Sequence, residues 1–323
     1  MQPLRRLNAS LVLLLAALLL AQPGTASAQQ TAPPPPQQQA PPAPGSKYDK
    51  ALFQKPVPAD QLAFLHQFDG APAEDLYRDK QFRKLLKSAV PDCMFHYGND
   101  TPLPDALDAV FKGSRLPVQV RDGRYLLASG LMGTHHSGRG FVWIDLQDGI
   151  LLGGFYFRPG NGEPTPSVNI FSKQVVKENS LLMSQLPPAF VGDFVQWATA
   201  SNVPPVTPRY FITGSNKKIL LEHDEDYCVQ ADGTTAPAGS DCGQMNADAA
   251  DTDMNAAYYL EQVHYATNAT AHMIVGVEEV AFIQMRDDTC RRGPDPLGCH
   301  VRMTREQTHH VVTPHPIAHS GRR

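Results

Sequence analysis

Hydrophobic and polar positions follow different rhythms along this chain, and each rhythm occupies its own stretch. From residue 59 to 112 apolar residues recur at helical spacing. Residues 59–68 and 73–89 read as helices. In the second, Leu76, Phe82, Leu85 and Leu86 share one face, with Arg78, Lys80, Arg83, Lys84 and Lys87 outside it. Residues 104–112 predict a third helix, with Pro104 at its start, where a missing N–H costs little. From Leu116 the rhythm shortens to that of strands. Residues 116–120 and 125–130 flank Asp122-Gly123, and residues 141–146 and 150–157 flank Asp148-Gly149; both dipeptides are hairpin signals. Residues 168–175 predict a further strand, 187–200 a helix, and 209–213 with 218–221 a last strand pair. Residues 158–166 form a proline- and glycine-rich loop. The expectation for residues 47–221 is an α+β domain, a short antiparallel sheet with flanking helices.

After residue 222 the helical rhythm returns. A helix is expected up to about residue 265. A polar break at 268–271 precedes a second helix over 272–289, in which Met273, Val277, Val280, Ala281 and Gln284 follow helical spacing. A loop holding Arg291, Arg292, Gly293, Pro294, Asp295, Pro296, Leu297 and Gly298 follows, and a third, shorter segment spans 299–307. Residues 222–312 therefore predict a small antiparallel helix hairpin.

Charge sharpens this division. The chain of 323 residues carries a net charge of −4, which argues against general nucleic-acid binding. Residues 222–323 hold 7 Lys+Arg and 16 Asp+Glu, a net of −9, and the rest is net +5. An acidic helical segment favours basic partners. The N-terminus reads as an address. Arg5 and Arg6 precede an apolar run over 11–21, and Ala26-Ser27-Ala28 forms a small-residue cleavage site, so residues 1–28 are expected to be a signal peptide. The run is too short for a membrane span, and no stable membrane insertion is expected after cleavage. Residues 29–46 are a proline- and glutamine-rich tether. The expected location is periplasmic or secreted, where disulfides form.

Candidate chemistry is sparse. The stretch from Gly133 to Gly140 carries His135, His136 and Ser137, with Asp145 or His96 as possible companions. Adjacent histidines on an extended loop point in different directions, and the plainer reading is a polar loop joining two strands. No HExxH, GxSxG, P-loop or dinucleotide fingerprint is present. The expectation is no enzyme, no metal and no cofactor, with a hydrolase centred on His135 and His136 as the remotest alternative. Cys93 has no assigned partner. Cys228, Cys242, Cys290 and Cys299 form an even set that admits three pairings. The end of the chain, with His309, His310, His315 and His319 among Pro314 and Pro316, predicts a disordered tail over 313–323.

The stretch from Cys228 to Val312, about a quarter of the chain, resembles the LprI-type lysozyme-inhibitor domain. That family has two early cysteines, then an Asp, a Leu-Asn pair and a Tyr. Here Cys228 and Cys242 precede Asp251, Met254-Asn255 and Tyr258. The family's helix reads Gln-x-Ala-Trp-Leu-x-x-Arg-Asp-x-x-Cys, and this chain has Glu279, Ala281, Phe282, Ile283, Arg286, Asp287 and Cys290. Cys299 and Thr304 match the family's last cysteine and Thr-rich helical end. Departures are Glu279 for Gln, Phe282 for Trp, and the lack of a Glu just before Cys242. The resemblance implies pairing of neighbouring cysteines and inhibition of a lysozyme-like cell-wall hydrolase, a basic protein partner. Such an enzyme cleaves glycans with a carboxylate pair. Arginines on a short rigid loop suit that target, which makes Arg291 and Arg292 the candidate contacts; the plainer reading is that they pair with Glu306 or with Asp287 and Asp288 nearby.

Overall fold

The computed structural model describes residues 48–97, 99–132, 138–159, 162–230 and 233–313. The expected signal peptide, the tether and the last ten residues lie outside these. Residues 59–68 form two 3₁₀ turns, Ala59–Gln61 and Ala63–Phe68. The single helix expected over 73–89 is two, α1 (Ala73–Arg78) and α2 (Lys80–Ala89). The break is local: Asp79 is extended, and its side chain accepts the N–H of Phe82 as an N-cap, starting a new helix. A hairpin of β1 (Met94–Tyr97) and β2 (Asn99–Pro102) follows, then α3 (Leu103–Phe111).

The main sheet begins with β3 (Gln119–Arg121), β4 (Tyr125–Met132), β5 (Gly138–Asp145), β6 (Ile150–Phe157) and β7 (Ser167–Phe171), each antiparallel to the next. The predicted turns are in place: Asp122 and Gly123 both have positive φ (55° and 59°), as a primed turn requires, and Gly149 has φ 68°. The chain then departs from a simple meander. It passes through β8 (Leu181–Leu182) and α4 (Pro188–Ala200), then returns as β9 (Arg209–Ile212) parallel to β7. β10 (Lys218–Glu222) pairs antiparallel with β9 and, at its last two residues, parallel with β8. The strand order is β3-β4-β5-β6-β7-β9-β10-β8. The fold class is the expected α+β, with an eight-stranded, mostly antiparallel sheet.

Both sheet faces are covered. On one, Phe190, Phe194 and Trp197 of α4 pack on Phe141, Trp143, Leu152 and Ile170. On the other, Phe82, Leu107 and Phe111 pack on Leu126, Val142 and Phe155. Double cover explains why β6 reads as a nearly continuous apolar run rather than an alternation. Gly130 lets α3 lie close on β4, because a side chain there would collide with the Val110 carbonyl.

The helical end is built from α5 (Cys242–His264), α6 (Ala269–Cys290) and α7 (Pro296–Val312). Ala256 and Ala257 of α5 rest on Tyr210 and Leu220, on the sheet face that α1–α3 also cover. The polar break before α6 is a cap: the Asn268 side chain accepts the N–H of Ala271.

One polar anchor ties α4 to the sheet. Asp193, almost wholly buried, accepts from Trp143 Nε1 (2.7 Å) and from Arg121 Nε and Nη2 (3.1 Å each). An Asp193→Ala change strands the indole N–H inside the core, so it is expected to cost about 2–3 kcal/mol. Urea unfolding of the purified variant measures the loss.

Candidate functional site

The loop between α6 and α7 is shaped by its own residues. Asp295 caps α7 by accepting the N–H of Gly298 at 3.0 Å, and Pro296 occupies the first helical position. Cys290, the last residue of α6, is bonded to Cys299 in the first turn of α7, with Cα atoms 5.4 Å apart. Cys228 and Cys242 form the second disulfide, with Cα atoms 4.9 Å apart, at the start of α5. Each staple closes a short local loop, of 9 and 14 residues' separation.

Beneath the stapled loop lies a network spanning all three helices. Arg286, buried on α6, donates through Nη1 to Asp251 of α5 (2.6 Å) and to Thr304 Oγ1 of α7 (2.9 Å), and its Nε donates to Asp287 (3.0 Å). His300 Nε2 also meets Asp251, at 2.9 Å. A second layer is apolar: Met254, Tyr258, Val275 and Phe282 form one cluster, and Gln307 donates to the Tyr258 hydroxyl at 2.8 Å. Of the residues that carry the resemblance, Asp251, Tyr258, Phe282, Arg286 and Asp287 thus meet in the helix interior or beside it, whereas Asn255 is exposed. The helical stripe Met273, Val277 and Val280 does not face the interior; these side chains are 62, 62 and 55 % exposed. The buried face of α6 is instead Val275, Phe282, Arg286 and Cys290. Both faces share one period, and only the packing partner distinguishes them.

Arg291 and Arg292 project from the stapled loop into solvent. Arg291 has a loose ion pair with Asp288 at 3.8 Å, in which both side chains are largely exposed. Such a pair contributes little and leaves the guanidinium available. Arg292 has no ion pair among the described residues. Two other nearby carboxylates pair elsewhere, Asp287 with Arg286 and Asp295 with Arg302 at 3.7 Å.

The N-terminal candidates fare differently. His135, His136 and Ser137 lie outside the described residues, as does the side chain of His96. Asp145 is not free for chemistry. It accepts a two-pronged contact from Arg124 (2.9 and 2.7 Å) and the N–H groups of Gln147 and Asp148. Burial alone would raise its pKa, but these donors outweigh burial and hold it below the usual carboxylate range. Cys93 is a free thiol, and burial pushes it up to about 11, which keeps it protonated and unreactive near neutral pH. Among the described residues no group of three metal-binding side chains comes together. No described helix is long and apolar enough to cross a membrane.

Periodicity did not reveal the junction between sheet and helices. His223, just past β10, gives its backbone N–H to Asp253 Oδ2 and faces Oδ1 of the same carboxylate through Nδ1, both at 2.6 Å. Both side chains are buried, and His223 Nε2 has no hydrogen-bond partner among the described residues. A carboxylate only accepts, so Nδ1 carries the proton. Around this pair, Arg209 donates to Glu225 at 2.6 Å, and Ser184 donates to Asp224. Burial, with Asp253 and Asp224 nearby, pushes Glu222 up to about 7 against weaker opposition from Ser180 and Lys177. The signal in the sequence was a histidine inside an acidic run directly after an apolar strand. The pair is buried and joins the end of β10 to α5.

Comparison with protein-family models, curated proteins and solved structures found no match to this chain.

Two outcomes follow from this geometry. Replacing Cys290 and Cys299 together by serine removes a constraint on the unfolded chain and is expected to lower stability by about 3 kcal/mol, read by denaturant unfolding. The raised Glu222 pKa has a definite sign: folding favours the protonated acid, so its contribution is full below pH about 4.5 and lost as pH rises through about 7. A Glu222→Gln variant should therefore flatten that part of the stability–pH profile, as seen in the urea midpoint.

Proposed function

We propose that this protein is exported from a bacterium and binds and inhibits a lysozyme-like glycan hydrolase through its stapled helical end. The observation that carries the reading is the Cys290–Cys299 loop, which offers Arg291 and Arg292 to solvent on a base fixed by the disulfide and by Arg286. A preordered loop loses little freedom on binding. Its two guanidinium groups match the paired carboxylates of a glycan-cleaving cleft. The net charge of −9 on residues 222–323 draws a basic enzyme towards that end of the molecule. The resemblance to the LprI-type domain supports the same reading. Signal-peptide features at residues 1–28 and two disulfides fit an oxidising compartment.

A second reading, an envelope-associated docking module without inhibitory activity, is favoured by the uncovered α6 stripe of Met273, Val277 and Val280.

A muramidase assay with the chain from Gln29 onward tests the first. The Arg291→Ala/Arg292→Ala double variant, which touches no buried contact, is expected to lose inhibition while its melting temperature is unchanged. Full inhibition by that variant would sink the loop as the contact. A Val277→Glu variant separates the readings, since it leaves inhibition intact and disables only a partner seated on α6.

A further inference from the structure

The described residues do not cover the sheet face shared by α1–α3 and α5 completely. Between the two covers lies a groove of about 710 Å³, a size typical of small-molecule sites. Sheet residues Phe157, Asn169, Ile212 and Lys218 make its floor. Cys93 and Met94 stand on one side, and the ends of α5 and α7 on the other.

The floor is polar and built. Lys218 Nζ contacts Glu163 Oε2 at 2.6 Å, and the Glu163 side chain is only 2 % exposed. Ser167 donates to Glu163 at 3.0 Å, and Asn169 donates to Ser167 at 3.2 Å. Lys218 Nζ also lies 4.2 Å from the centre of the Tyr210 ring. Apolar residues of similar volume often hold a site as well as a largely buried ion pair does, so stability alone is a weak reason for this one. An ammonium has three N–H donors, and Glu163 and the Tyr210 face do not exhaust them.

The walls are apolar. Met94 and Val263 are 60 and 53 % exposed, and Leu260, Val311 and Val312 continue the surface. The charges of the lining cancel in pairs, Lys218 with Glu163 and Lys217 with Glu178 (2.9 Å). The lining also holds Glu261 and the imidazole of His264. An anionic head finds no uncompensated cation here and meets carboxylates. A neutral head can accept from Lys218 without displacing Glu163, while an aliphatic body covers the walls.

We propose that this groove binds a neutral amphiphile, an aliphatic chain ending in an ester or hydroxyl head, with the head on Lys218 and the chain along Leu260, Val263 and Val312. The test is displacement of N-phenylnaphthylamine from the chain starting at Gln29 by glycerol monolaurate and by laurate. Glycerol monolaurate is expected to displace the probe at least tenfold more effectively than laurate. Filling the groove by Val263→Trp or Val312→Trp should weaken it at least tenfold with an unchanged melting temperature, whereas Val277→Trp on α6 should not. Glu163→Gln uncovers the Lys218 charge and should move the preference towards laurate. No displacement, equal binding of laurate, or binding that survives both filling variants overturns the proposal.

Discussion

The placement of the three helices depends on one carboxylate. Asp253 of α5 receives both the backbone N–H and the ring Nδ1–H of His223, in a site closed to water. Hydrogen bonds to a charged group are each worth about 1.5–3 kcal/mol, and an unmet buried carboxylate costs more than the bonds return. The carboxylate therefore admits few positions for α5. With Asp253 held at the end of β10, Ala256 and Ala257 fall on Tyr210 and Leu220. Their small side chains let the helix lie close to the strands. Helix α7 then packs along α5, and Arg305 reaches back to the His223 carbonyl at 3.3 Å.

The rest of the helical end has the same logic. Arg286 is surrounded by acceptors from α5, α6 and α7, so a single guanidinium sets the mutual positions of three helices. This leaves α6 with one face spent on the interior and the opposite face apolar and uncovered. The stapled loop and that outer face are separate surfaces, which is why the two functional readings are separable by mutation.

Much of the sheet was legible because its signals are local. Asp122-Gly123 and Asp148-Gly149 are turns that need positive φ, and the runs between them could only be strands. The parallel return of β9 beside β7 was not legible, since nothing in strand periodicity says where a strand goes after a helix has crossed the sheet. The β1–β2 hairpin was missed because four-residue strands around Gly98 show almost no alternation. Helix existence in the C-terminal part was readable, but the inward face of α6 was not. Met273, Val277 and Val280 fit the same period as the buried Val275 and Phe282. The cysteine set was readable as a framework; spacing left three pairings open, and the structure holds the neighbouring pairs that the resemblance implied. At the candidate contact, Arg291 and Arg292 stood out as a basic pair in an acidic stretch. Asp253 and His223 did not, because a pair 30 residues apart announces itself only through tertiary contact.

The shortness of both disulfide loops bears on how the chain acquires its shape. Closing a ten-residue loop takes on the order of 10–100 ns, far faster than assembling a sheet whose strands pair out of order. Cys290 meets Cys299, and Cys228 meets Cys242, within segments that need no strand in place. The β3–β7 meander is likewise contiguous, whereas β9 and β10 must wait for α4 to cross. Oxidation and sheet assembly can then proceed in parallel in separate parts of the chain. Docking, in which Asp253 meets His223, then joins the two parts.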